Sequence, residues 1–146
     1  MKKGELLGKC LKLMVDAHYG QYDKGGKPYC MHPLAVMALL NSDDEELQCI
    51  ALLHDVIEDT KTTWAQLKEL GCTDRIIDAV DALTKMPGQS YDEYKEEVFS
   101  NKDAMVVKMA DLRHNTDIRR LKGVSQKDID RLAKYNLFYL ELQSRM

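Results

Sequence analysis

Four ionisable side chains crowd into Ile50-Ala-Leu-Leu-His54-Asp55-Val-Ile-Glu58-Asp59-Thr60, a stretch whose other members are mostly apolar. If the stretch is helical, Asp55, Glu58 and Asp59 fall roughly 100°, 40° and 140° around the axis from His54, so all four project from one side. Carboxylates gathered in an apolar setting are unfavourable unless a cation or shared protons compensate them. A bound divalent metal is the simplest compensation, and it needs ligands from elsewhere in the chain. His32 precedes Pro33 at the end of a glycine-rich loop, directly before an apolar run. Asp111 lies in Val106-Val-Lys-Met-Ala-Asp111-Leu-Arg-His-Asn115, where Asp111 and Asn115 are one helical turn apart on a shared face. Two imidazoles and two carboxylates suit Mn²⁺, Fe²⁺, Co²⁺ or Zn²⁺ and leave positions open for a nucleophilic water.

Each of these features also has a plain structural reading. A lone His-Asp dipeptide on a helix is common, and Glu58-Asp59 fits a solvated helix end because Thr60-Lys61-Thr62 leads outward. His18 and His114 read as structural residues or as supports for the ligands. The joint occurrence of the elements, in order, gives them weight.

The elements that must position these residues are helices. Leu6, Leu7, Cys10, Leu13, Met14 and Ala17 recur at steps of three and four over 4–17, the stripe of an amphipathic helix. Gly20, Gly25, Gly26, Pro28 and Pro33 then mark the strongest break in the chain and the candidate ligand loop. Periodicity predicts further helices at about 34–41, 45–59, 64–70, 74–85, 91–100, 103–119 and 126–144. Capping-box spacing at Thr63/Gln66, Ser90/Glu93 and Asp43/Glu46 supports their starts, and Gly71 stands where a carboxy-terminal cap belongs. No sustained strand-like alternation, repeat or linker interrupts them. The expected architecture is all-α, a bundle of roughly seven or eight short helices forming one domain over 1–146.

Bulk properties narrow the function. The net charge of −3, with Lys and Arg scattered among acids, offers no footprint for DNA or RNA. The longest apolar run, Leu34 to Leu40, is too short to span a bilayer, and the amino terminus has no signal-peptide core. Cys10, Cys30, Cys49 and Cys72 form no CxxC pattern and read as reduced packing residues of a cytoplasmic protein. Oligomeric state is not written in these features.

Taken in order, the motifs resemble the HD-domain hydrolases of the RelA/SpoT type, and in particular their small stand-alone alarmone hydrolases. Ala17-His18-Tyr19-Gly20-Gln21 is similar to an AHxGQ element, and Lys24 through Pro33 to a KxGxPYxxHP loop. His54-Asp55 with Glu58-Asp59-Thr60 matches HDxxEDT, Leu83-Thr84-Lys85 resembles the TK element, and Val107 through Asn115 resembles VKxADxxHN. The resemblance covers nearly the whole chain. It implies that His32, His54, Asp55 and Asp111 bind a metal, usually Mn²⁺, and that Glu58 and Asp59 act beside it as general acid or base and orient water. It also implies that Lys24, Lys85, Asn115, Arg131 and Tyr135 line a nucleotide pocket.

The activity so implied is a (p)ppGpp 3′-pyrophosphohydrolase releasing pyrophosphate and GDP or GTP. One position departs from the pattern: Asp23 stands where the family usually has an Arg that packs on the base. Gly25 likewise replaces a customary Ser, and Lys27 an acidic residue. Asp can accept hydrogen bonds or repel phosphate but cannot stack as a guanidinium does. This motivates a second expectation, the same chemistry on NADPH or an adenine alarmone. A third is a non-catalytic nucleotide-binding module, against which the intact acids Glu58 and Asp59 weigh.

Overall fold

A computed structural model describes all residues from Met1 to Met146. Nine α-helices follow in order: α1 Glu5–Ala17, α2 Met31–Leu39, α3 Glu45–Leu53, α4 Val56–Asp59, α5 Trp64–Leu70, α6 Asp74–Leu83, α7 Tyr91–Phe99, α8 Lys102–Asn115 and α9 Gln126–Ser144. A 3₁₀ turn at Ile118–Arg120 joins the last two. There is no β-strand; one antiparallel bridge, Tyr22 to Pro28, closes the glycine-rich loop on itself. No helix is long and apolar enough to cross a membrane.

Local chemistry sets most boundaries as expected. Thr63 with Gln66 and Ser90 with Glu93 form reciprocal capping boxes, and Gly71 ends α5 at φ 111°, a left-handed conformation suited to glycine. The cap of α3 is Asp44 rather than Asp43, its carboxylate accepting from Leu47 N–H at 3.3 Å. α2 begins at Met31, three residues earlier than periodicity predicts, which puts His32 in its first turn. Pro33 is tolerated there because first-turn N–H groups need no intrahelical acceptor. At the other end of the chain α8 stops at Asn115 instead of 119, and α6 at Leu83 instead of 85.

The largest departure is at the centre of the chain. The helix expected over 45–59 breaks after Leu53, so that His54 and Asp55 form a turn before the single turn of α4. His54 Nδ1 lies 2.6 Å from the Ala51 carbonyl, the acceptor that Asp55 N–H would use in a continuous helix. The imidazole outcompetes the backbone for that acceptor. Glu58 and Asp59 therefore do not share one helix face with His54, as uninterrupted geometry had suggested.

α3 lies in the middle of the bundle, packed by α1, α2, α6 and α8. Cys49, Ile50, Ala51, Leu52 and Leu53 are all fully buried, so the turn that follows is anchored in the rigid interior. α9 is pinned by Phe138, which meets Tyr91, Tyr94 and Phe99 edge-on at centroid distances of 5.9, 6.5 and 5.8 Å.

Candidate metal centre and adjoining cavity

Three elements bring four donors together. His32 comes from the first turn of α2, His54 and Asp55 from the α3–α4 turn, and Asp111 from the buried side of α8. His32 Nε2 lies 2.8 Å from Asp111 Oδ1 and 3.8 Å from Asp55 Oδ2. His54 Nε2 lies 3.1 Å from Asp55 Oδ2 and 3.3 Å from Asp111 Oδ1. Donor atoms of His32, His54 and Asp55 all fall within 4.8 Å of one another.

The tautomers suit a cation. Nδ1–H of His54 is committed to Ala51, which leaves Nε2 to carry either a proton or a metal ion, and that buried atom makes no hydrogen bond. A lone pair facing two carboxylates is repulsive unless a proton or a metal ion lies between them. His32 Nδ1 meets His114 Nδ1 at 2.7 Å. Burial, Arg120 and His32 together press His114 down to about 4, and with His32 Nδ1 turned to His114 the other ring nitrogen, Nε2, faces Asp111 Oδ1 and the donor cluster. Two imidazole nitrogens and two carboxylate oxygens thus fit a divalent cation by donor type and by proximity.

Each carboxylate is also held from behind. Asp111 Oδ2 receives Lys108 Nζ at 2.8 Å, and its Oδ1 receives the Asn115 amide at 2.9 Å. Burial works against the charged forms, yet Lys108 and the imidazoles hold Asp111 well below the usual carboxylate range, and Asp111 in turn raises Lys108. Tyr29 donates its hydroxyl to Asp55 Oδ2 at 2.6 Å. Burial opposes ionisation of Asp55, but in the metal-free cluster a proton on His54, held there against burial by Asp55 and Asp111, and then His32 draw Asp55 down to about 2. Glu58 and Asp59 stand on exposed α4, where Glu58 Oε1 accepts the Lys85 backbone N–H at 2.7 Å. Partial burial, Asp55 and Glu58 push Asp59 up to about 6. His18 donates to Gln21 Oε1 at 2.8 Å, and Gln21 donates to the Asp59 carbonyl at 2.9 Å, a structural tie between the loop and α4.

Beside the cluster opens a cavity of about 340 Å³, lined by the 22–25 loop, Tyr29, Asn115, Asp117, Arg120, Leu121, Arg131 and Tyr135. Tyr29 and Asn115 belong to both regions, since each touches a carboxylate of the cluster and also faces the cavity. Four of the five expected pocket residues, Lys24, Asn115, Arg131 and Tyr135, line it together. Lys85 lies apart, exposed beside Glu58. Sequence reading assigned no role to Tyr29, Lys108 or Arg120. Tyr29 and Lys108 sit inside the motifs, at fixed offsets from His32 and Asp111, so a signal was present; Arg120 has none.

The HD-domain family model matches residues 10–128, and this stretch contains every donor of the cluster. The chain belongs to the HD-domain family. This HD domain is 38% identical over 144 residues to a guanosine-3′,5′-bis(diphosphate) 3′-pyrophosphohydrolase of Haemophilus influenzae, covering 90% of the chain and 21% of that relative. It is 32% identical to the bifunctional (p)ppGpp synthase/hydrolase SpoT of Escherichia coli, covering 90% of the chain and 20% of the relative. The chain thus spans about a fifth of the length of these curated relatives. A solved structure described as a metazoan ortholog of SpoT that hydrolyses ppGpp has the same fold, with a TM-score of 0.76 at 24% identity over 94% of this chain and 84% of that one.

Proposed function

We propose that this HD domain, taken over 1–146, is a metal-dependent (p)ppGpp 3′-pyrophosphohydrolase. One observation carries the reading: four metal-type donors converge beside a cavity lined by Lys24 and Arg131, and Tyr29 and Asn115 join the two by touching the donor carboxylates and lining the cavity. A nucleotide bearing phosphates at both its 3′ and 5′ positions matches an arrangement that is cation-binding at one end and cationic at the other. The two similar curated proteins, named for hydrolysing such a nucleotide, support the same substrate class.

In this reading His32, His54, Asp55 and Asp111 hold a divalent ion, Mn²⁺ by preference, which supplies Lewis-acid activation of water. A water molecule attacks the phosphorus bonded to the ribose O3′, the P–O3′ bond breaks, and pyrophosphate leaves. The proton lost by the water goes to a carboxylate, and O3′ takes one up. Asp59, which partial burial, Asp55 and Glu58 raise in the metal-free protein, carries the proton, while Glu58 orients the water. Lys85, beside Glu58, meets the 3′ phosphates. Lys24 and Arg131 neutralise the distal ones, and Asn115 and Tyr135 contact sugar or base. The four free cysteines fit a reducing, cytoplasmic setting.

Purified protein incubated with guanosine 3′,5′-bis(diphosphate) and Mn²⁺ is expected to release one pyrophosphate per GDP, and chelation is expected to stop it. Chromatography of the products decides: orthophosphate as the first product, or no release at all, would overturn the reading.

A further inference from the structure

The charges around the cavity divide into two unlike groups. On one side Lys24 Nζ and Arg131 Nη2 both reach Asp128 Oδ1, at 3.6 and 3.2 Å, so two cations share one acid and positive charge is left over. On the other side Arg120 Nη2 lies 3.3 Å from Asp23 Oδ2, with side chains only 18% and 13% exposed, and this pair has no surplus charge. A phosphate brought to Arg120 would also meet the Asp23 carboxylate and a second lining acid, Asp117. The paired side is therefore suited to an uncharged, hydrogen-bonding part of a ligand, and the surplus side to its phosphates.

The pair is also held still. Arg120 Nη1 donates to the His114 carbonyl at 3.2 Å and to Asn115 Oδ1 at 3.1 Å, while Asp23 Oδ1 accepts Lys27 N–H at 2.9 Å. At Gly25 an added Cβ would collide with the Arg120 carbonyl oxygen, so only glycine lets the loop close on the 3₁₀ turn. These bonds leave part of the guanidinium fork and of the carboxylate's acceptor capacity uncommitted. Tyr22 and Tyr135 add aromatic faces to the same cavity.

We infer that the Asp23–Arg120 pair reads the base and selects a guanine ring over an adenine ring. The inference rests on the nucleotide-hydrolase reading above. A guanidinium only donates and a carboxylate only accepts. Guanine presents the O6 acceptor next to the N1–H and N2–H donors, so it satisfies both members of the pair at once. Adenine in the same position would set its amine against the guanidinium and its N1 lone pair against the carboxylate. Such mismatches leave buried polar groups unpaired, which is how a hydrogen-bonding site rejects a near-isostere.

The test compares kcat/KM for guanosine 3′,5′-bis(diphosphate) and its adenosine counterpart, in Mn²⁺, for wild type, Asp23→Asn and Arg120→Gln. The ratio of the two substrates on one preparation does not depend on the fraction folded. Wild type is expected to favour guanine by at least about 10-fold, and Asp23→Asn to erase about 10-fold or more of that ratio, because the amide offers a donor to adenine N1. A ratio unchanged in both variants, with both rates falling together, would overturn the inference, as would a wild-type preference for adenine. Calorimetric titration of wild type and Asp23→Asn with GDP and with ADP needs no turnover. Tighter binding of GDP, lost in Asp23→Asn, in a protein that cleaves neither substrate would refute the hydrolase and keep the base-reading pair; equal binding of GDP and ADP by wild type would refute the pair alone.

Discussion

The proposed metal end of the site and its proposed nucleotide end are built on opposite principles. The four donors at the metal end come from helix turns seated in the fully packed interior, and each is braced by a further partner: Ala51, His114, Tyr29 or Lys108. The nucleotide end is made from a glycine-rich loop, a 3₁₀ turn and the start of α9, joined by ion pairs that stay partly in water. The contrast teaches that geometry at the donor cluster is enforced by packing, whereas the cavity proposed for the nucleotide is held together chiefly by paired charges. Damage should therefore spread from the first region into the fold and remain local in the second.

Asp111→Ala is the strongest way to break that contrast. It strips a metal donor and strands Lys108, whose ammonium lies 5.2 Å from the Tyr94 ring and whose side chain is 14% exposed. Turnover is expected to disappear, and stability to fall by about 3–5 kcal/mol, measured by urea unfolding. Asp55→Ala should also lose Mn²⁺ binding by calorimetry but cost less stability than Asp111→Ala, because Asp55 has no lysine partner to strand and its removal relieves its repulsion with Asp111. Equal stability losses in the two variants would erase the distinction between an acid paired with a buried lysine and one held by a tyrosine hydroxyl.

Glu58→Ala should retain Mn²⁺ and lose about 10²- to 10⁴-fold in kcat, since the role proposed for this acid is to orient water rather than to hold the ion. Loss of metal binding in this variant would move Glu58 into the ligand set. At the proposed nucleotide end, Arg131→Ala and Lys24→Ala should each raise KM several-fold with kcat nearly constant and with little change in melting temperature, because Asp128 keeps the other cation and its capping bonds with Ser125.

The smallest effect concerns pH. Asp59 in the metal-free protein is raised from 3.8 to about 6, first by burial and then by Asp55 and Glu58. The folded chain therefore binds this proton more tightly than the unfolded chain. The associated stability is fully present below the ordinary carboxylate pKa and is lost as pH climbs through about 6. Melting temperatures in chelator across that window should fall less steeply for Asp59→Asn than for wild type. Identical slopes would show that Asp59 is not perturbed.

Much of the metal end was legible beforehand. His32, His54, Asp55 and Asp111 stand out because carboxylates and imidazoles in apolar stretches require an explanation, and the structure brings all four together. The route to that convergence was less visible. Apolar periodicity runs unbroken from Glu45 to Asp59, so the turn at His54-Asp55 left no mark on it; the break depends on one imidazole taking the Ala51 carbonyl. The nucleotide end was only half legible: Lys24 and Arg131 could be read from the resemblance, but Asp23 looked like an isolated anomaly. Its partner, Arg120, is 97 residues away, at the end of a 3₁₀ turn whose first two residues periodicity assigned to the helix over 103–119.

By itself, then, the sequence determined which segments are helical, which residues seek the interior and which acids and imidazoles need a cation, because periodicity, capping and desolvation act within a few residues along the chain. Only the tertiary structure decided which side chains stand behind the donors, and that Asp23 faces a guanidinium rather than empty solvent. Those pairings are contacts between distant segments, and their energies depend on burial and distance, quantities that exist only once the helices have packed.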